Sequence, residues 1–158
     1  CEASTNLAKY CGMRYGKENK LTGTFNDYFT NVRSEYFGEE AKRRIMIGTF
    51  ARTSGYRDAY YIKAMKVRTL IINEYKKAFE KFDVLVSPTM PFIAPKFDDI
   101  NKMTPLQHYM ADVLTVGPNL AGLPHMNIPI VTDEMPVGFM IIGNHFDEGK
   151  LIRVGKEL

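Results

Sequence analysis

Between Phe79 and Ser87 the sequence changes period. Upstream, apolar residues recur at helical spacing, first Phe25, Tyr28, Phe29, Val32 and Tyr36, then Ile62, Met65, Thr69, Ile72 and Phe79. Downstream comes Asp83-Val84-Leu85-Val86-Ser87-Pro88-Thr89, a short apolar run closed by a proline, which reads as a buried strand. Two more strand-sized runs follow at roughly 126–131 and 137–142. The connection between them, Thr132 to Pro136, is short enough for a hairpin. Helices interleaved with short apolar strands specify an α/β architecture. Three strands make a poor independent sheet. They are therefore expected to complete a larger mixed sheet flanked by helices, in what is an incomplete domain with no internal boundary across residues 1–158.

Local signals place the remaining elements. A short helix is expected to begin in residues 3–10, and the glycine-rich, polar stretch 11–24 suits an exposed connection. Gly38 sits where a C-terminal cap would stop the Phe25–Tyr36 helix. Residues 39–52 resume helical spacing, with Glu39 and Glu40 in a first turn whose dipole favours negative charge. Asp58 is the expected N-cap of the longest helix, running to about Phe82. Residues 88–105 hold four prolines and read as a long irregular loop. Thr104-Pro105 is a helix start, followed by the stripe Leu106, Tyr109, Met110, Val113 and Leu114. Residues 117–125 read as turn-rich, and Asp147 is the expected cap of a last helix.

Composition narrows the function classes. An apolar fraction of 45% and a charged fraction of 25% belong to an ordinary globular protein. No run approaches the ~20 apolar residues of a membrane helix, and no signal peptide is expected. A net charge of +3 demands no nucleic-acid partner. The basic helix carrying Lys63, Lys66, Arg68, Lys76, Lys77 and Lys81 reads as solvated, with an RNA- or protein-binding module as the alternative. Cys1 and Cys11, without partner cysteines, make neither a zinc site nor a disulfide framework and are expected as reduced thiols.

Candidate catalytic groups are few. Ser4, Ser34, Ser54 and Ser87 are the only serines, and none lies in a Gly/Ser-rich run. His108, His125 and His145 are the available bases, yet no G-x-S-x-G elbow accompanies them. The acidic pairs Asp98-Asp99 and Asp133-Glu134 lie in expected loops and read as solvated. A self-contained hydrolase is not expected.

Longer blocks carry a resemblance. They are Glu2-Ala3-Ser4-Thr5-Asn6-Leu7 with Gly12-Met13-Arg14-Tyr15-Gly16, the run Phe37 to Phe50 around Arg43-Arg44, and Ser54-Gly55-Tyr56-Arg57-Asp58-Ala59-Tyr60-Tyr61 with Lys66-Val67-Arg68-Thr69. Ser87-Pro88-Thr89 with Pro91, Tyr109 through Asn119-Leu120-Ala121-Gly122-Leu123-Pro124, and Pro136-Val137-Gly138 with Ile142-Gly143 and Phe146-Asp147 complete them. In this order they resemble the C-terminal part of the amidase signature family, in its branch serving tRNA-dependent amidotransferases.

The resemblance implies a glutaminase. A serine attacks the side-chain amide of glutamine, ammonia leaves, and the glutamyl-enzyme is hydrolysed. Ammonia passes to the B component of the amidotransferase, which uses ATP and Mg to activate the glutamate (or aspartate) on a mischarged Glu-tRNA(Gln) or Asp-tRNA(Asn), and the C component, where present, wraps around the other two. The whole protein would be a cytoplasmic, hetero-oligomeric carbon–nitrogen ligase with glutamine as amido donor, and no cofactor would be bound by this chain. The family's serine, its second serine on a cis peptide and its lysine would lie before Cys1, so the fragment alone is expected to be inactive. A tyrosine of the glutamine site would also lie just upstream of Cys1, where the family commonly has serine. Two matched positions would hold the substrate. Arg44 would bind the α-carboxylate of glutamine and Asp112 its α-ammonium. A zwitterion needs one fixed cation and one fixed anion, and guanidinium grips carboxylate through two parallel hydrogen bonds. The alternatives are a fragment of another amidase acting on a different amide, or a non-catalytic interaction module.

Overall fold

The computed structural model describes residues 1–133 and 135–158. The chain divides into two compact units, Cys1–Lys66 and Val67–Leu158.

The first unit is helical. It runs from α1 (Glu2–Asn6) through a 3-10 turn (Leu7–Lys9) to α2 (Phe25–Tyr36) and α3 (Glu39–Phe50). Thr24 opens α2 with a reciprocal capping box: its hydroxyl accepts from the Asp27 N–H at 3.3 Å, and the Asp27 carboxylate accepts from the Thr24 N–H at 2.8 Å. These bonds hold the Asp27 carboxyl below the usual carboxylate range. On the inner side of α2, Tyr28 and Val32 are buried. The Tyr28 hydroxyl donates to the Gly12 carbonyl at 3.0 Å. Gly12 has φ +81, and a Cβ there would lie 2.9 Å from that hydroxyl, so the turn both needs and encloses a glycine. Helix α3 packs on α1 through Gly48, which faces the Ser4 side chain.

Two expectations are corrected in this unit. Gly38 does not cap α2. It is the N-cap of α3 in an extended conformation, φ −65 and ψ 162, and Phe37 ends α2. Asp58 does not cap the long helix either. It opens a π-helical turn, Asp58–Ile62, that makes no side-chain cap bond and runs directly into α4 (Lys63–Phe79).

The second unit is layered. Strands β1 (Leu85–Pro88), β2 (His125–Ile130) and β3 (Val137–Ile142) form an antiparallel sheet in the order β1-β3-β2. The expected hairpin is present, with His125 opposite Ile142 and Ile130 opposite Val137. Alternation along β3 sends its side chains to two faces. Met140 and Ile142 join Ala121 and Leu123 in a core against which Ile72, Tyr75, Phe79 and Leu85 pack. Ile141 is fully buried, and α8 (Glu148–Glu157) contacts both β2 and β3, with Leu151 beside Gly143 and Gly155 beside Met126. Burying a side chain such as Met140 or Ile141 contributes about 1.5–3 kcal/mol.

Between β1 and β2 lie α5 (Phe97–Ile100), α6 (Pro105–Met110) and α7 (Val113–Ala121). Thr104 caps α6 as expected, and Gln107 completes a capping box, its side-chain oxygen accepting from the Thr104 N–H at 2.8 Å. Three further expectations are corrected. The helix breaks at Ala111–Asp112, so its apolar stripe divides between two helices, and Leu106, Tyr109, Met110 and Val113 are exposed. The stretch expected to be turn-rich is helical to Ala121 with Pro118 inside, and the turn comes at Gly122, in the left-handed region at φ 70. Asp147 occupies the N-cap of α8 without a capping bond, pairing with Lys150 at 2.9 Å instead. On α4 the expected face also shifts. Met65 and Thr69 are exposed, and Ile72, Tyr75 and Phe79 do the packing.

Candidate functional site

Arg44 and Asp112 are the two positions to which the family resemblance would assign the binding of a charged ligand. Arg44 lies in the first unit and Asp112 in the second.

Arg44 sits one turn into α3. Its Nε donates to Glu40 Oε1 at 3.0 Å, and the other oxygen of the same carboxylate accepts from Arg43 Nη1 at 2.8 Å. One glutamate thus holds both members of the arginine pair, with the three side chains about half exposed. This contact follows from i, i+3 and i, i+4 spacing on a helix, a signal that sequence reading had in hand and did not use. A groove of about 590 Å³ opens between α2 and α3, lined by Phe29, Phe37, Ile45 and Met46 with Arg33 and Arg43. Arg43 lines it, and Arg44 does not.

Asp112 occupies the break between α6 and α7. An aspartate at an N-cap ordinarily turns its carboxylate onto the helix's first N–H groups. Asp112 makes no such bond, and its backbone sits at φ −106 and ψ 13, away from the extended geometry that capping uses. Its carbonyl is engaged instead, accepting from the Thr115 N–H at 3.0 Å and the Thr115 hydroxyl at 2.9 Å. The side chain is exposed and takes no part in starting the helix. A carboxylate relieved of capping is available to a ligand cation.

The far end of α7 is tied down within the second unit. Arg68 Nε donates to the Leu120 carbonyl at 2.7 Å, and His145 Nε2 lies 3.1 Å from the Ala121 carbonyl. Leu123 N–H returns to the Pro118 carbonyl at 3.0 Å. Midway along the helix, the Tyr75 side chain rests against Gly117, and burial raises the Tyr75 phenol above its ordinary value.

Among the described residues, the other candidate groups assemble no nucleophilic site. His125 Nδ1 is 3.1 Å from the Leu123 carbonyl, so it and His145 engage backbone oxygens. Ser4 donates to the Cys1 carbonyl at 2.7 Å, and Ser87 to the Pro88 carbonyl at 3.0 Å. Asp98 and Asp99 lie in the first turn of α5, where Asp99 pairs with Lys102 at 3.6 Å. Of the pair Asp133-Glu134, Glu134 lies outside the described residues. Cys1 and Cys11 are unpaired thiols. No cluster of metal-ligating side chains and no helix long and apolar enough to cross a membrane occurs among the described residues.

The A component of glutamyl-tRNA(Gln) amidotransferase from Thermoanaerobacter pseudethanolicus is 53% identical over 154 residues, covering 97% of this chain and 31% of that protein. The protein of the same name from Archaeoglobus fulgidus is 50% identical over 156 residues, covering 98% of this chain and 34% of its own. The chain thus spans about a third of the length of these relatives. Among solved structures, the A component of the Thermotoga maritima glutamyl-tRNA(Gln) amidotransferase superposes with a TM-score of 0.60 at 32% identity, over 98% of this chain and 37% of that one. A bacterial aryl acylamidase of the amidase signature enzymes shares the fold at a TM-score of 0.56 and 20% identity. The Amidase family model matches residues 1–152, and the chain belongs to the amidase family.

Proposed function

We propose that this chain is the C-terminal part of the glutamine-hydrolysing subunit of a tRNA-dependent amidotransferase, and that its two units belong to one amidase domain. The observation that carries the reading is the match, at about half identity across nearly all of this chain, to proteins named as the A component of glutamyl-tRNA(Gln) amidotransferase. In this reading Arg44 engages the α-carboxylate of glutamine and Asp112 its α-ammonium. The exposed, non-capping carboxylate of Asp112 supports that role. The serine nucleophile, its cis-serine partner and the lysine come from sequence outside residues 1–158. Ammonia released from the side-chain amide passes to the B component, where ATP and Mg activate Glu-tRNA(Gln), with the C component completing a cytoplasmic hetero-oligomer. No cofactor is assigned to this chain.

The test uses the full-length protein assembled with its partner subunits. Arg44→Lys keeps the charge and loses the two-pronged fork, and Asp112→Asn removes the anion. Each loses a charge-assisted hydrogen bond of about 1.5–3 kcal/mol, so the KM for glutamine should rise roughly ten- to hundredfold. Amidation driven by ammonium salts bypasses the glutamine pocket and serves as the control. Unchanged glutamine KM in both variants rejects the assigned roles. Ammonia release from simple aliphatic amides without preference for glutamine would point to another amidase.

A further inference from the structure

We propose that Glu40 is a positioning residue that aims Arg44 at the substrate carboxylate. The inference rests on the assignment of Arg44 above and extends it by one residue. Its basis is the shared carboxylate: Oε1 takes the Arg44 Nε–H at 3.0 Å while Oε2 takes Arg43 Nη1 at 2.8 Å. Guanidinium is planar, so a bond at Nε fixes the plane in which its other donors lie. Arg44 is about half exposed, and a long side chain at such a position otherwise samples many rotamers. Holding it in one plane lowers the entropy lost when a carboxylate arrives.

A negative charge near the binding arginine also repels the substrate, and the two effects have opposite signs. Positioning predicts that removing Glu40 weakens glutamine binding, and repulsion predicts that it strengthens it. Glutamine at position 40 keeps an acceptor oxygen on Arg44 and loses the charge, which separates the two.

The experiment measures glutamine kinetics of the full-length protein in its complex. Glu40→Ala, which keeps a good helix former at that position, should raise the KM for glutamine about two- to fivefold, the range of a half-exposed ion pair, with kcat little changed. Glu40→Gln should recover most of that loss. In an Arg44→Lys background, Glu40→Ala should add almost nothing, because the group it positions is gone. Glu39→Ala, which removes the same charge from the neighbouring residue that holds Lys42, should leave KM unchanged. Four results overturn the inference: an unchanged or lowered KM in Glu40→Ala, no recovery in Glu40→Gln, full additivity with Arg44→Lys, or an equal shift in Glu39→Ala. If Arg44→Lys itself leaves KM unchanged, the assignment of Arg44 fails and the positioning role falls with it. If Arg44→Lys is impaired while Glu40→Ala is neutral, only the positioning role fails.

Discussion

Gly117→Ala in α7 should destabilise the protein through a single atom, the hydroxyl oxygen of Tyr75. A Cβ built on Gly117 would lie 2.7 Å from that oxygen, while the next nearest atoms, two ring carbons of the same tyrosine, are at 3.6 Å. The first distance is an overlap, and the second is ordinary contact. Tyr75 is held in place on α4, where it packs against the Met140 and Ile142 core. Overpacking of this kind costs about 1–3 kcal/mol. Replacing glycine by alanine inside a helix returns about 1 kcal/mol of propensity. The single variant should therefore lose anywhere from almost nothing to about 2 kcal/mol. Tyr75→Phe removes the offending oxygen and leaves the ring carbons at 3.6 Å. In that background the propensity gain is set only against the strain that Pro118 puts on a Cβ at the preceding helical residue. Propensity cancels in the double-mutant cycle, as does whatever Tyr75→Phe costs alone, so the coupling energy isolates the steric clash at about 1–3 kcal/mol. Equilibrium urea unfolding of the full-length subunit and its three variants, followed by circular dichroism, supplies the four free energies. A coupling below about 0.5 kcal/mol, the usual scatter for independent sites, would refute the argument that the phenol hydroxyl sets the spacing between α4 and α7.

Two further outcomes test the units separately. Asp27 has its carboxyl held below its ordinary value, chiefly by the Thr24 N–H, so its contribution to α2 is present above the unfolded pKa and disappears as pH falls through the folded one. Helicity of the first unit should drop with acid below about pH 4, and Asp27→Asn should remove that step. Thr89 and Asn127 hydrogen-bond to each other over Gly138, where a Cβ would lie 2.6 Å from Asn127 Oδ1 and 2.8 Å from Thr89 Oγ1. Gly138→Ala should therefore cost about 1–3 kcal/mol, read as a lowered urea midpoint. An unchanged midpoint would show that β1 and β2 move aside without loss.

Much of the second unit was legible because its strands are short, apolar and bounded by prolines, a pattern that local sequence determines. The hairpin follows from the same pattern, while its register of His125 opposite Ile142 comes from the structure. The helix around Pro118 was not legible. Gly117-Pro118 signals a turn, yet tertiary contacts at Gly117 and the bond from Asn119 Nδ2 to the Thr115 carbonyl at 2.8 Å keep the helix going. Gly38 misled for a related reason: glycine fits both the end of one helix and the extended start of the next, and no neighbouring residue decides between them. For the candidate site, the arginine pair was visible as charge, but spacing alone does not say which of the two arginines, both anchored on Glu40, also lines the groove between α2 and α3. The break at Asp112 was hidden inside a continuous amphipathic stripe, because periodicity reports a helix face and is blind to a one-residue change in backbone angle.

Helix α7 is short, nine residues or roughly 14 Å of rise, with Asp112 just ahead of its first residue. At the other end, Leu120, Ala121 and Leu123 are fastened to α4, to the loop after β3 and back onto the helix itself. A strut so short, clamped at its base, swings only as far as its footing allows. In the role proposed for Asp112, an arriving ammonium group would meet a main chain whose position these fastenings to α4 and to the loop after β3 set.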